Sequence, residues 1–285
     1  MKDLLNLTLI QSIVLFVFSL MLPSLVLAEA VPVPENHIRI GAAGVTNSAP
    51  YEGLDGYVTP MPSFDIRFGN FFMWSEHDEP VIGWDLFYHK RISFSFIATR
   101  GRTFLDVDDT ADGKDFLYYG LEDKDQAIEA GVLFRFYSRV GLFEMWSVHD
   151  VTDVYDGVRS SISMSRPFAQ TGQWEITPRV FVKHYSEKFN NYYYAITESE
   201  TKTGILMANE ERLWTAAEYL EQRNTYTPGT AGHFGVDVSI AYNFNEHIQG
   251  KLYVAIEKFS GEVETSPIIE DKELTTISVG LNYGF

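Results

Sequence analysis

Apolar and polar residues alternate along most of this chain in segments of about ten, the period of two that a strand produces because successive side chains leave opposite faces. The last segment, TTISVGLNYGF at 275–285, puts Ile277, Val279, Leu281, Tyr283 and Phe285 on one face and Thr276, Ser278, Gly280, Asn282 and Gly284 on the other. Further upstream the same pattern is carried by Ile82, Trp84, Leu86 and Tyr88, by Ile92, Phe94 and Phe96, and by Ile128, Val132, Phe134 and Phe136. It returns in Val158, Ile162, Met164 and Phe168, in Trp174, Ile176, Val180 and Val182, and from Phe234 to Phe244 and Ile248 to Ile256. Weaker segments near 37–45, 62–68, 70–76 and 140–149 bring the expectation to about twelve strands.

The connectors sort by length. Gly69-Asn70, His89-Lys90-Arg91, Ser138-Arg139, Thr171-Gly172 and Asn245-Glu246 read as tight hairpin turns. Between them lie longer polar stretches near 46–61, 77–80, 100–125, 150–157, 185–232 and 258–273. A soluble two-sheet sandwich also shows period-two strands, but gives no reason for this sorting. A transmembrane barrel with both termini in the periplasm does. The expected fold is therefore all-β: a single antiparallel up-and-down transmembrane β-barrel with short periplasmic turns and long acidic extracellular loops. Aromatic residues near the strand ends fit interfacial girdles.

The first thirty residues carry Lys2, an apolar stretch to Leu22, Pro23, then Ala28 and Ala30. This predicts a secretory signal peptide over 1–28, cleaved after Ala28 or Ala30, and a barrel over 31–285; a retained anchor helix is the alternative. Localisation in the outer membrane follows, with lipid and lipopolysaccharide as surroundings. The chain has no cysteine, so disulfides do not staple it. A net charge of -17 argues against nucleic acid as a partner.

Charge sharpens the picture on the face opposite the apolar rows. Arg39, Asp65, Arg67, Asp85, Glu129, Arg135, Arg159, Glu175, Arg179, Lys183, Asp237, Lys251 and Glu257 fall there. A charge facing hydrocarbon costs a few kcal/mol near the midplane, so these side chains line a wet or paired interior. A narrow lumen crossed by ion pairs is expected, with Asp65, Arg67 and Asp85 in one network; a solvated lining without specific pairs is the alternative.

The acidic run Asp106–Asp125 superficially resembles a calcium loop. With Gly113 at the turn, however, Thr110 and Tyr119 occupy ligand positions, and the EF-hand reading fails. In the longest loop, Asn209 is the candidate cap of a short helix placing Leu213, Trp214, Ala217 and Leu220 on one stripe, as a lid, a docking helix or a self-sheltering element. Ser147, His149 and Asp150, His77 with Asp78, and His233 with Asp237 can be drawn as catalytic sets. None carries a nucleophile-elbow signature, and no histidine spacing suits a metal. The expectation is no enzyme, no catalytic residue, no metal and no cofactor.

The stretch Tyr51-Glu52-Gly53-Leu54-Asp55-Gly56-Tyr57, followed by Pro60-Met61-Pro62 and Phe64-Asp65-Ile66-Arg67-Phe68-Gly69, resembles the first loop and second strand of the MipA/OmpV family of MltA-interacting outer-membrane proteins. Ser266-Pro267-Ile268-Ile269 is similar to the family pattern near the other end. The segment from about 197 to 224 departs from it, being longer and more acidic. The resemblance implies a barrel acting as a scaffold between a murein lytic transglycosylase and a penicillin-binding protein in cell-wall remodelling. A narrow channel or small-solute barrel serving envelope or osmotic adaptation is the alternative. The terminal aromatic, with the row Ile277 to Phe285, resembles the signal read by the barrel-assembly machinery.

Overall fold

The computed structural model describes residues 35–48, 51, 57–76, 79–89, 91–101, 120–138, 140–167, 169–171, 173–210, 215, 219–221 and 223–285. The signal peptide read for 1–28, the loop residues Glu52, Gly53 and Asp55, and most of the acidic 106–125 run lie outside these residues.

The strands follow one another around a closed antiparallel wall. They are β1 (His37–Asn47), β2 (Tyr57–Phe68), β3 (Phe71–Glu76), β4 (Glu79–His89), β5 (Ile92–Arg100), β6 (Ile128–Ser138) and β7 (Gly141–Asp150). Next come β8 (Val158–Ser165), β9 (Ala169–Thr171), β10 (Trp174–Tyr185), β11 (Ala231–Asn243), β12 (Ile248–Phe259) and β13 (Glu273–Gly284). β8 and β9 both pair with β10 and act as one interrupted strand, so the barrel has 12 strands. β13 closes it by pairing with β12 on one side and β1 on the other, Leu281 facing Gly250 and Ala42. Closure leaves lipid no unpaired rim of N–H and C=O groups along β1 and β13.

Alternation decides which side chains meet lipid. Trp84, Phe96, Ile162, Val182, Phe234, Val279 and Leu281 are half or more exposed on the outside. Ser95, Glu129, Arg159 and Asp237 are buried inside. The row Ile277, Val279, Leu281, Tyr283 and Phe285 lies on the outer face, with Phe285 edge-on to Tyr283 at 5.1 Å.

Two expectations are corrected. Tyr88 was placed on the lipid row with Trp84 and Leu86, but a bulge between Asp85 and Phe87 shifts the register. Leu86 and Phe87 both face outward, and Tyr88 pairs with Ser93 on the buried side; one extra residue reverses the parity of everything after it. The stretch near 77–80, read as a longer loop, is a hairpin link: β3 ends at Glu76 and β4 begins opposite it at Glu79. At the other end of this strand pair Gly69 supplies the left-handed backbone (φ 55°) that the turn into β3 requires.

Two helices sit in the long connection between β10 and β11: α1 (Glu187–Tyr194) and α2 (Glu198–Glu210). Asn209 therefore lies in the last turn of α2 and is not the cap of a helix beginning after it. Leu220 belongs to a helical turn at 219–221, and Leu213, Trp214 and Ala217 are outside the described residues.

Candidate functional site

The lumen and the cap above it hold the protein's buried charge. Nearest the periplasm, Asp65 accepts from His37 Nε2 at 2.8 Å and lies 3.8 Å from Arg39. Arg67 donates to Asp85 at 2.7 Å, and Asp85 also accepts from the Ser95 hydroxyl at 2.6 Å. Of the three residues expected in one network, the structure joins Arg67 to Asp85 and gives Asp65 to His37 and Arg39. The register explains the split: Asp65 stands directly across β1–β2 from Arg39, while Arg67 reaches over the short β3 to β4.

Arg135 donates to Glu144 at 2.7 Å with its guanidinium 4.7 Å from the Trp74 ring, and midway along β10 Arg179 donates to Asp237 at 2.7 Å. Both are directly opposed cross-strand pairs, so alternation itself brings them together. Glu175 is also inward, at the periplasmic end of β10, and exposed. Lys251 faces inward between Ala241 and Gly280.

Highest lie two clusters that pair geometry alone does not suggest. Arg159 donates to both oxygens of Glu129, at 2.7 and 2.5 Å, and reaches across to Glu79 at 3.1 Å; the Tyr155 hydroxyl donates to Glu129 as well. Lys183 donates to Glu257 at 2.6 Å, and His233 Nδ1 sits 2.8 Å from the same carboxylate. Glu129 is fully buried and Arg159 nearly so, a situation that stands only when every charge has its partner.

An aromatic cap lies over these clusters. Ser186 caps α1 by accepting from Phe189 N, and the helix turns Phe189, Tyr193 and Tyr194 toward the mouth. Phe189 packs against Tyr155 at 5.0 Å and Tyr185 at 4.6 Å, with Phe259, Val263 and Ile268 completing one apolar cluster. Burial and the nearby Glu129 carboxylate raise the pKa of the Tyr155 phenol, which stays a donor. In α2 the Glu200 carboxylate accepts from Lys124 at 2.9 Å and from Thr197 N at 2.7 Å. Although burial opposes its charge, these bonds hold its pKa below the ordinary value.

The two stretches that carry the family resemblance meet in this cap. Tyr51 is buried, bridges to Ile269 and donates to Tyr193 O at 3.3 Å; Ser266 donates to Tyr194 O at 2.7 Å. Pro60 and Pro62 lie on β2. Of the residues drawn as catalytic sets, Asp150, Asp237 and His233 are engaged elsewhere. Asp150 accepts from the backbone of Thr152, Tyr155 and Asp156 and shapes the β7–β8 loop, while Asp237 serves Arg179 and His233 serves Glu257. His77 and Asp78 are outside the described residues.

Among the described residues no helix is long and apolar enough to cross a membrane. A closed antiparallel wall, apolar outside and charged within, defines an outer-membrane β-barrel. More narrowly, the chain belongs to the family described as MltA-interacting protein MipA, whose model matches residues 40–285. It is similar to the putative outer membrane protein YiaT of Escherichia coli K12, 24% identical over 251 residues that cover 88% of this chain and 92% of that one. The MltA-interacting protein of the same strain is 22% identical over 264 residues, 88% of this chain and 91% of that one. Among solved structures, the translocator domain of the autotransporter NalP from Neisseria meningitidis aligns over 90% of this chain and 91% of that one, with 10% identity and a TM-score of 0.40.

Proposed function

We propose that this barrel is a structural component of the outer membrane that holds a partner at its periplasmic end, and that the partner is a murein lytic transglycosylase brought near a penicillin-binding protein. The observation that carries this reading is the lumen: ion pairs line its wall from the periplasmic end to the cap, Arg159 reaches from β8 to Glu79 on β4, and an aromatic cap covers its extracellular mouth. Such an interior serves stability and rigidity better than rapid flux. The name of the Escherichia coli relative, MltA-interacting protein, supports the choice of partner.

The periplasmic turns are short, Gly69-Asn70 and the links around Arg91 and Val140 among them, so the contact area they offer is small. The interaction is accordingly expected to be weak and to need mild conditions, as interfaces under about 1,200 Å² generally do. The test has two arms. An affinity-tagged barrel, solubilised after gentle cross-linking in its own cells, is expected to bring down a lytic transglycosylase, and its repeated absence overturns the proposal. In a planar bilayer the purified barrel is expected to show no large steady current; such a current would establish the channel alternative.

A further inference from the structure

One seam of the wall is built unlike the others. β2 pairs with β1 from Tyr57 to Arg67, but with β3 only from Asp65 to Phe68. β3 has 6 residues, whereas β2 has 12 and β4 has 11. Above Asp65 the β3-facing edge of β2 makes one connection among the described residues, the Ser75 hydroxyl, which donates to Pro62 O and accepts from Phe64 N, both at 3.1 Å. Because Phe64 points its N–H to that side, alternation points positions 62 and 60 there too, and both are proline. Pro60 and Pro62 thus place no N–H donor on an edge that has no further partner among the described residues.

Behind the seam lie three cavities that share lining residues. A cavity of about 120 Å³ is lined by Trp74, Trp146, Phe181, Leu133 and Tyr253 and also by the charged Glu79, Glu144, Arg159, Arg179, Lys183 and Glu257. A second, of about 50 Å³, is lined by Met61, Pro62, Ser75 and Tyr253, and a third, of about 300 Å³, by Trp74, Ser75, Lys251 and Tyr253. Tyr253 borders all three, and Ser75, the hydroxyl in the seam, borders two.

Lys251 lines the second and third spaces. Its cross-strand neighbours are Ala241 and Gly280, which offer it nothing. The carboxylates facing the same space are engaged: Asp65 with His37 and Arg39, Glu144 with Arg135, Asp237 with Arg179. Among the described residues Lys251 has no carboxylate partner, so an ammonium and an aromatic-walled cavity face one another's ligand from two sides.

We propose that the β2–β3 seam is a lateral port through which a small amphiphile with one anionic head passes between the outer leaflet and the lumen, the head meeting Lys251 and the apolar part lying against Trp74 and Tyr253. An anion is indicated because the uncommitted charge is positive, and an apolar body because the charges that also line the first cavity are already paired, leaving Trp74, Trp146, Phe181, Leu133 and Tyr253 as its unengaged surface. The function is independent of any periplasmic partner and stands or falls separately from the scaffold reading.

The test uses the refolded full barrel in phosphatidylcholine vesicles, with Trp84, Trp174 and Trp214 changed to Phe so that Trp74 and Trp146 report. Titration with ω-bromooctanoate is expected to quench them saturably, and K251M is expected to weaken binding about tenfold, the worth of one charge-assisted hydrogen bond. The neutral ω-bromooctanol is expected to bind more weakly and to be indifferent to K251M. Absence of saturable quenching, or equal affinity for the acid in K251M, overturns the site. In stopped flow from preloaded vesicles, S75F is expected to slow quenching several-fold while leaving the affinity within about twofold. An unchanged rate overturns the lateral route. Heat-modifiable gel migration qualifies each variant as folded; if S75F fails it, M61F makes the same obstruction from the β2 side.

Discussion

The two ends of the lumen are lined by the same alternation and yet hold their charges on different terms. Under the cap, Arg159 and Glu129 are 3% and 0% exposed, and their contact is a mutual obligation: either alone would be a buried, unpaired ion. Near the periplasm, Arg39 and Asp65 are 40% and 32% exposed and 3.8 Å apart, so water screens them and replaces whichever is lost. The ion pair is chemically the same in both places; burial sets its value by deciding how much water is present.

The sharpest way to break this comparison is E129A, which leaves Arg159 with only Glu79 in a dry site. It is expected to cost about 3–5 kcal/mol in urea unfolding followed by tryptophan fluorescence in vesicles. A loss no greater than that of a surface pair would mean that water reaches the upper lumen.

A second contrast runs along the outside of the wall. Phe96, midway along β5, is 55% exposed, and F96R is expected to cost about 2–4 kcal/mol, whereas V58R, near the extracellular end of β2, is expected to cost about 0–1 kcal/mol. Equal costs would show that lipid does not cover the middle of the strand.

The cap itself responds to acid. Glu200 has a folded pKa below its ordinary 4.5, so its contribution is complete above that value and is lost as pH falls through the depressed one. Limited proteolysis of the 186–230 connection is expected to accelerate below about pH 4.5. In E200Q it is expected to be faster at neutral pH and to lose this contribution to the acid response.

The smallest effect is expected for D65A. Its partly exposed partners can turn to water, and its loss should stay within about 1 kcal/mol. A cost matching that of E129A would erase the distinction between the two ends.

Much of the wall could be read from the residues. Period-two alternation follows from strand geometry alone, so lipid rows such as Ile277 to Phe285 and inward charges such as Arg179 and Asp237 declare their faces without a partner being known. The parity error at Tyr88 shows the limit of that reading: a bulge is one unpaired residue, and nothing in Asp85-Leu86-Phe87-Tyr88 announces it. The cap was also hidden. Phe189, Tyr193 and Phe259 stand in the sequence as separate aromatics in or beside long loops, and only their arrival over one mouth makes them a cluster with Ile268.

Alternation along the strands, a property of neighbouring residues, was thus enough to establish a barrel, its lipid face and its membrane. Which charge meets which, where water stops and where the wall is left thin at β2 and β3 depend on residues far apart in the chain. Arg159 meets Glu79 only because the barrel closes, and among the described residues Lys251 lacks a carboxylate partner because Ala241 and Gly280 come to stand beside it.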